Sequence, residues 1–354
     1  MKILFLAPYP FDTVPSQRFR FEQYFRSLRD HPVSISFHSF YTRSLWQGSL
    51  RRRNMAWILP RIIWAGIVMF VHALRSIRYD YIFIHRELAP AGPPVLEWMI
   101  AKIFRKKIIY DFDDAIWLTD DSNRAETVNK IKWSQKVAAI CRWSYKVSCG
   151  NEYLRGYALK FNPASLNIPT TVDTENHHNR LHTHREGPVV VGWTGSHTTL
   201  KYLYSIERVL ENIAGLPQYK LVVICNTPPE WNINNFAFIP WIRDREIEDL
   251  LTLDIGLMPM PEDPWTLGKC GFKAIQYLSL GIPALVSPLP VNREIVDHGR
   301  NGYYCSTPED WMNYLAELAG DPSRRKRFGE DGREKIIRNY STVSGSRASL
   351  GLFE

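Results

Sequence analysis

The sequence lacks several features that assign a chain quickly to a class of protein. Its five cysteines are odd in number and widely spaced, without the paired spacing of a metal site. We interpret them as reduced, buried thiols, as expected in a cytoplasm. Short-period repeats and low-complexity segments are also missing, which argues against repeat architectures and disordered tails.

Long hydrophobic runs are scarce as well. Residues 2–6 (KILFL) could mimic a signal peptide, but Pro8 and Pro10 cut the run short and no small-residue cleavage site follows. The most apolar stretch, Ile62–Leu74, is shorter than the roughly 20 residues that a membrane-spanning helix needs. The sequence therefore predicts a buried first strand and no membrane span.

Composition points to a folded protein of two domains. The chain has 354 residues, of which 45% are hydrophobic and 23% charged, and this length fits two domains of roughly 150–200 residues. Lysine and arginine exceed aspartate and glutamate by 44 to 36, giving a formal charge of +8, which favours anionic partners. The basic residues are scattered and no nucleic-acid-binding motif accompanies them, so we predict no nucleic-acid partner.

Short apolar runs alternate with longer helical patterns, which predicts βαβ units and parallel sheets. The strands predicted in the first half are Ile3–Ala7, Ser34–Phe40, Tyr81–His85, Lys107–Asp111 and Lys146–Cys149. Those predicted in the second half are Val189–Trp193, Leu221–Cys225, Ala237–Ile239, Ile255–Met258, Ala284–Val286 and Gly302–Cys305, with helical patterns at Leu200–Ile213 and Lys273–Leu280. We predict an α/β chain of two Rossmann-like domains facing across a cleft, with ligands at the carboxyl ends of the strands.

The predicted domains are residues 1–172 and 189–340, joined by a polar linker at 173–188. The linker's four histidines could bind a metal, but a solvated linker is the better interpretation because nothing fixes their geometry. They are His177, His178, His182 and His184.

Residues 268–283 (GKCGFKAIQYLSLGIP) place glycines and two lysines at a predicted helix start. Exposed amides and the helix dipole make such a start an anion site. If the helix already spans both lysines, Lys269 and Lys273 project on one face beside a diphosphate. The alternative is an ordinary capped helix with solvated lysines.

The segments around this helix start resemble the C-terminal domain of family-4 glycosyltransferases of the GT-B fold. They are residues 254–265 (DIGLMPMPEDPW), 284–296 (ALVSPLPVNREIV), Asn301-Gly302, 192–196 (GWTGS) and Tyr340-Ser341. The resemblance implies a retaining transfer of sugar from a nucleoside-diphosphate-sugar to an acceptor hydroxyl, in surface polysaccharide or glycolipid synthesis. It further implies no separate cofactor or metal, a donor site in the second domain, an acceptor site in the first, and a segment 341–354 that crosses back to the first domain.

The donor chemistry departs from the family's pattern. Two glutamates eight positions apart contact sugar and ribose in most members, and here Gly268 and Gln276 stand at those positions. Gln276 keeps an acceptor for a ribose hydroxyl, so we expect Lys269 and Lys273 to hold the diphosphate. The predicted donor-binding residues are Gly195, Ser196, Lys269, Cys270, Gly271, Phe272, Lys273, Gln276, Arg243 and Arg18.

Two of these assignments have alternatives. Arg243 lies where the family holds the nucleotide base, but it could simply be solvated. Arg18 follows the first strand, where family members have a glycine-rich loop that this sequence lacks, and it could equally pair with a nearby acid.

An acidic cluster, residues 111–117 (DFDDAIW), follows the strand Lys107–Asp111. Crowded carboxylates suggest general-base work, recognition of sugar hydroxyls, or a metal. The resemblance puts Asp113 near a histidine of the family's active site, so we predict Asp113 and Asp114 to be catalytic, together with His85 at the end of a neighbouring strand. His85 could instead be a packed histidine, and no metal is predicted.

Arg51–Arg53 precede the apolar stretch, a pattern that suits docking on an anionic membrane surface or a buried helix with a basic end. We therefore predict a cytoplasmic enzyme, with peripheral attachment to the inner face of the plasma membrane left open, and a saccharide or lipid-linked acceptor. Two other functions remain: a degenerate transferase that only binds nucleotide-sugar, and an epimerase of the same fold that uses His85 and the acidic cluster.

Overall fold

The computed structural model describes residues 1–29, 31–50, 54–118, 133–183 and 186–354. The chain forms two units. The first comprises residues 1–170, 268–270 and 345–354, and the second comprises 171–267 and 271–344. Arg51–Arg53 and His184 lie outside the described residues.

The first unit is built on a six-stranded parallel sheet in the order β2-β1-β3-β4-β5-β6. Its strands are β1 (Lys2–Ala7), β2 (Ser34–Ser39), β3 (Tyr81–His85), β4 (Lys107–Phe112), β5 (Lys146–Cys149) and β6 (Ser165–Asn167). The central strands β1, β3 and β4 are buried along nearly their whole length because both faces of the sheet are covered.

The helices described in the first unit cover both faces of that sheet. They are Pro15–Arg18, Phe25–Arg29, Arg43–Leu50, Met55–Arg75, Val95–Trp98, Lys136–Trp143 and Glu152–Leu159, with a π-helical turn at Met99–Ile103 and 3-10 turns at Glu22–Tyr24, Ser76–Arg78 and Gly351–Phe353. One face of the sheet buries an aromatic cluster around Phe5, Phe21 and Phe83, to which Leu352 and Phe353 of the C-terminal segment belong.

The second unit repeats the plan with six parallel strands in the order β12-β11-β10-β7-β8-β9. They are β7 (Val189–Gly195), β8 (Tyr219–Cys225), β9 (Phe236–Pro240), β10 (Ile255–Met258), β11 (Ala284–Val286) and β12 (Gly302–Tyr304). Its described helices are Leu200–Tyr204, Glu207–Ala214, Glu246–Leu250, Pro264–Leu267, Phe272–Ser279, Pro290–Ile295, Pro308–Gly320, Pro322–Asn339 and the start of Thr342–Leu350.

These two sheets confirm the predicted fold class, and each predicted strand is present within two residues of its expected bounds. One strand, β6, was not predicted because its three residues carry no apolar alternation. The predicted helix Leu200–Ile213 is two helices with a break at Ser205 and Ile206.

The prediction that the apolar stretch is too short to span a membrane is wrong. The helix that contains it runs from Met55 to Arg75, 21 residues, because Asn54 caps its start by accepting a hydrogen bond from the Trp57 amide. With the 3-10 turn that follows, it is long and apolar enough to cross a membrane by length and composition, and few of its residues are buried.

The interpretation of the linker histidines as solvated is also wrong for two of them. His178 is fully buried, and the His182 Nε2 atom lies 2.9 Å from Asp254 Oδ1 within the second unit. Arg333 further holds this segment by donating hydrogen bonds to the carbonyls of Thr174 and His178. The polar composition hid these contacts because each needs a partner far away in sequence.

All five cysteines are buried and unpaired, as predicted. Burial raises the pKa of the Cys141 thiol to about 12, so this side chain behaves as a small apolar residue.

Candidate functional site

In the first unit, the ends of β3 and β4 bring the predicted catalytic residues together. The two strands pair in register, with His85 opposite Asp111. Because both strands are parallel, the residues that follow them emerge at the same edge of the sheet. Asp113 and Asp114 lie in the loop after β4, where Arg86 of the β3 loop meets them.

The Asp111 side chain is buried in the interior of the first unit. Its carboxylate accepts hydrogen bonds from Arg20 Nη2 at 2.5 Å and Ser148 Oγ at 2.7 Å, and it lies 2.7 Å from His85 Nδ1. Burial alone would raise the pKa of Asp111, but Arg20 and His85 outweigh that effect and hold it well below its usual range. The predicted cluster of three acids is therefore split, with one acid in the core and two at the surface of the loop.

His85 lies between the buried Asp111 and the loop residue Asp113. Its Nδ1 atom contacts Asp111, and its Nε2 atom lies 3.9 Å from Asp113 Oδ1. The side chain is completely buried, and Nε2 makes no hydrogen bond within the part of the chain that the structure describes. The imidazole is thus held by the Asp111 carboxylate on one side and lies near the Asp113 carboxylate on the other.

Asp113 and Asp114 form a partly exposed ionic cluster with Arg86 and Lys269. Arg86 donates to Asp113 Oδ1 at 2.9 Å and Asp114 Oδ2 at 2.8 Å, and Lys269 Nζ donates to Asp114 Oδ1 at 2.7 Å. Burial opposes ionisation of Asp114, yet Lys269 and Arg86 hold its pKa below the usual value. Arg86 reaches both acids from a left-handed backbone conformation, with φ of 58°.

The segment 268–270 belongs to the first unit and carries two predicted donor residues. Asn151 Nδ2 donates to the Lys269 carbonyl at 2.8 Å, and the Cys270 Sγ atom lies 3.1 Å from the Asp113 carbonyl. The helix that follows begins only at Phe272, so the expectation that one helix presents Lys269 and Lys273 on a single face is wrong.

In the second unit, the end of β7 lies beside the helix Phe272–Ser279, whose start was predicted to bind an anion. The Thr194 amide donates to the Tyr277 hydroxyl at 3.0 Å, which fixes the strand end against the helix. A Cβ atom at Gly195 would lie 2.3 Å from the Trp193 ring, so the chain can turn here only with glycine. Ser196 then begins a short 3-10 turn through a capping box with Thr199.

The helix start is shaped by Gly271, which has a left-handed backbone with φ of 65°. A Cβ atom at this position would lie 2.2 Å from Ile295 Cδ1. No side-chain hydrogen bond caps the helix at Gly271, and the positive end of the helix dipole lies at this turn. Lys273 lies in the first turn with its Nζ atom 5.4 Å from the Trp193 ring centroid, a cation–π distance.

Gln276 lies one turn further along the same helix and is buried. Its Nε2 atom is 3.5 Å from Glu246 Oε1, and Glu246 Oε2 is 3.9 Å from His177 Nε2. Glu246 was not predicted as a site residue, since an acid in the first turn of a helix is an ordinary feature. Its burial is the signal, and that is visible only in the folded chain.

The two remaining predicted donor residues are Arg243 and Arg18. Arg243 starts a 3-10 turn, is 3.6 Å from Asp244, and lines a surface depression of about 350 Å³ together with His177 and Arg180. In the first unit, Arg18 is buried and lies 3.6 Å from Asp12, which is the pairing that the sequence left as its alternative. Arg20 was not predicted as a site residue, yet it reaches Asp111.

Comparison with known proteins bears on both units. Residues 201–335 match the family model described as glycosyl transferases group 1. A segment of 124 residues is 20% identical to spore coat protein SA of Bacillus subtilis (strain 168). The segment makes up 34% of this chain and spans 32%, about a third, of that protein.

Solved structures extend the likeness to the whole chain. Sucrose-phosphate synthase of Thermosynechococcus elongatus superposes with a TM-score of 0.71 at 13% identity, covering 100% of this chain and 98% of that one. Anabaena HepE in complex with UDP-glucose gives a TM-score of 0.66 at 14% identity, covering 99% and 98%. A glycosyltransferase of Rickettsia africae gives 0.71 at 12% identity, covering 99% and 97%.

These likenesses confirm the GT-B fold predicted from the sequence. The resemblance to group 1 glycosyl transferases is confirmed over residues 201–335, and the matched family is one of enzymes, as predicted. The helix Phe272–Ser279 lies inside the matched segment. The end of β7, at Gly195, lies just before that segment begins.

Proposed function

We propose that this protein transfers a sugar from a nucleoside-diphosphate-sugar to an acceptor hydroxyl. The observation that carries the proposal is the helix start at Phe272–Ser279, which lies inside the segment that matches group 1 glycosyl transferases. There the left-handed Gly271, the positive end of the helix dipole and Lys273 form a cradle for an anion.

The cradle acts on the leaving group. When the bond between the sugar and the diphosphate breaks, negative charge grows on the diphosphate. The positive end of the helix dipole and the Lys273 ammonium stabilise that charge without reorganising, since the helix already holds them. Gly195 keeps the facing strand end free of a side chain, so phosphate oxygens can approach the backbone.

Buried Gln276 and Glu246 are suited to the ribose. An amide and a carboxylate side by side offer a donor and two acceptors to neighbouring hydroxyls. Lys269 donates a hydrogen bond to Asp114. Lys269 can therefore bind the diphosphate only if a phosphate oxygen competes with the Asp114 carboxylate for its ammonium group.

The first unit supplies the acceptor chemistry in this proposal. Asp113 accepts a hydrogen bond from the acceptor hydroxyl, and Arg86 holds its carboxylate in place. His85, oriented by buried Asp111, lies behind Asp113, with 3.9 Å between its Nε2 atom and Asp113 Oδ1. The transfer retains the anomeric configuration, and the nucleotide-sugar serves as co-substrate in place of a dissociable cofactor.

Synthesis of a surface polysaccharide or glycolipid is the proposed setting, with a saccharide or lipid-linked acceptor. The segment similar to spore coat protein SA supports a role at the cell surface. The exposed apolar helix Met55–Arg75 supports a cytoplasmic protein attached peripherally to an anionic membrane face.

The test is release of nucleoside diphosphate from a panel of nucleotide-sugars, preceded by a thermal-shift screen that identifies which one stabilises the chain. Lys273→Ala should weaken donor binding about tenfold or more, as expected for loss of a charge-assisted contact. Lys326→Ala, at an exposed position of the helix Pro322–Asn339, is the matched control. Undiminished affinity of the Lys273 variant would remove the cradle from the donor site.

A binding protein without turnover is the second candidate. Gly268 carries no side chain to contact a donor sugar, and Gln276 is not a carboxylate. The same assay separates the two functions. A donor that stabilises the chain but releases no nucleoside diphosphate with any acceptor would favour the binding protein.

A further inference from the structure

The helix Met55–Arg75 and the turn Ser76–Arg78 present an apolar stripe to solvent. Seven large apolar side chains recur every three or four residues along it, which is the spacing of one helix face. Each is at least 40% exposed: Met55, Leu59, Ile63, Ile67, Phe70, Leu74 and Ile77. Trp64 lies beside the stripe and is 63% exposed. A soluble helix normally turns such a face inward.

The opposite face of this helix is already packed. Ala65, Met69 and Ala73 are buried in the aliphatic core of the first unit. A membrane-spanning orientation would take all three out of that core. The helix therefore lies along the surface of the unit, and its apolar stripe is a surface feature.

The neighbouring helix Val95–Trp98 and the π-helical turn Met99–Ile103 widen the stripe. Both pack beside the helix Met55–Arg75. Val95, Trp98 and Ile103 are each more than 40% exposed. We call the stripe and these three residues the apolar face.

The exposed charged side chains described on the helix Met55–Arg75, its final turn and the π-helical turn are all basic. From His31 to Tyr79 the sequence contains seven arginines and no aspartate or glutamate. Arg61, Arg75 and Arg78 are exposed on the helix and its final turn, and Lys102 is exposed on the π-helical turn. Arg61 lies along the Trp57 ring, with 3.9 Å between guanidinium carbon and ring centroid, so its stem can rest in an apolar layer while its charge stays in water.

We propose that the apolar face docks in the plane of an anionic phospholipid bilayer. Apolar side chains would enter the region between head groups and acyl chains, and the surrounding arginines would contact lipid phosphates. A second copy of this chain is a poorer occupant, because two-fold symmetry would bring arginines against arginines with no acid to compensate. The inference deepens the proposed function, on which it rests for the statement that the acceptor is lipid-linked.

The experiment is co-sedimentation of the full chain with vesicles, without donor. Wild type should bind phosphatidylglycerol-rich vesicles and only weakly bind pure phosphatidylcholine. The triple variant Ile63→Gln, Ile67→Gln, Phe70→Gln should lose binding about tenfold or more, because apolar burial drives insertion. A matched control changes three exposed apolar residues on other helices, Leu159→Gln, Ile337→Gln and Val343→Gln, and should bind as wild type does.

A charge variant separates lipid from other partners. Arg61→Gln, Arg75→Gln and Arg78→Gln should each weaken binding to the anionic vesicles roughly fivefold at low salt, and much less at high salt. The changes Lys326→Gln, Arg327→Gln and Arg338→Gln, also at exposed positions, are the control. Thermal unfolding of every variant checks that the fold is kept.

Three outcomes would overturn the docking proposal. The triple variant could sediment like wild type, the charge variants could bind unchanged at low salt, or wild type could be a dimer that the triple variant dissociates without any lipid binding. Donor binding is measured separately by thermal shift. If vesicle binding is absent but the donor still binds, the docking proposal fails and the proposed function stands. If the donor does not bind but vesicle binding is intact, the proposed function fails and the docking proposal stands.

Discussion

The two sheet edges that carry the candidate site use opposite chemistry on the same topology. At the end of β4, the first unit gathers charges and neutralises each with a partner: Asp111 with Arg20, and Asp114 with Lys269. At the end of β7 and at the start of the helix Phe272–Ser279, the second unit relies on the close packing around Gly195 and Gly271 and on the helix dipole. The first edge should therefore fail when a charge is removed, and the second when volume is added.

The largest expected effect is a break in the buried charge pair of the first unit. Asp111→Asn leaves Arg20 buried without its counter-charge, and removing one partner of such a pair costs about 3–5 kcal/mol of unfolding free energy. Urea denaturation measures the loss. Glu152→Gln, in the exposed pair with Arg155, should cost less than about 0.5 kcal/mol, and equal losses in the two variants would contradict the distinction between buried and exposed charges.

The partly exposed acid of the same edge should affect turnover more than stability. Asp113→Asn keeps the shape of the side chain and removes its charge, so we expect turnover to fall about a hundredfold, as for loss of a general base. Steady-state kinetics and thermal unfolding are measured together, with exposed Glu330→Gln as the control. Unimpaired turnover in a folded Asp113 variant would exclude this residue from the chemistry.

Added volume is the matching test for the second unit. Gly271→Ala must place a Cβ atom 2.2 Å from Ile295 Cδ1 on a backbone with φ of 65°. We expect a loss of about 2 kcal/mol in unfolding free energy and weaker donor binding by calorimetry, because the helix start moves. Gly320→Ala, where nothing lies within 4 Å of the added atom, should leave both unchanged or slightly improve stability.

A pH-dependent effect is expected at Glu22, the first residue of the 3-10 turn Glu22–Tyr24. Burial raises the pKa of Glu22 from 4.5 to about 7, against the opposing effect of its hydrogen bond from Gln17. Between these values the folded chain keeps a proton that the unfolded chain has lost. This contribution is therefore fully present below pH 4.5 and is lost as the pH rises through 7.

Glu22→Gln removes that titration. Relative to wild type, the variant should gain up to about 3 kcal/mol in unfolding free energy between pH 5 and 8, and parallel urea denaturation of both proteins at those two pH values measures the difference. If the two proteins change in parallel, Glu22 is already ionised in the fold and the expectation is wrong.

Much of the fold could be predicted because it depends on local pattern. The strands Tyr81–His85, Lys146–Cys149, Ile255–Met258 and Ala284–Val286 have their predicted bounds, since a buried parallel strand is a short apolar run between polar residues. The helix start near Lys273 was also visible, because glycines and the Gly-Ile-Pro turn bracket it. Contacts between distant residues left no such pattern.

The sequence by itself determined the two parallel sheets, the buried thiols and the types of residue available at each sheet edge, because period, apolarity and composition are properties of neighbours along the chain. Only the tertiary structure decided which of those residues find a partner in the interior and which remain in the loops. It turned Asp111 inward to Arg20 and His85, left Asp113 and Asp114 at the loop, buried His178, placed His182 against Asp254, and brought Gln276 to Glu246. The physical reason is desolvation: a charged or polar group enters the interior only where a distant part of the chain supplies its partner.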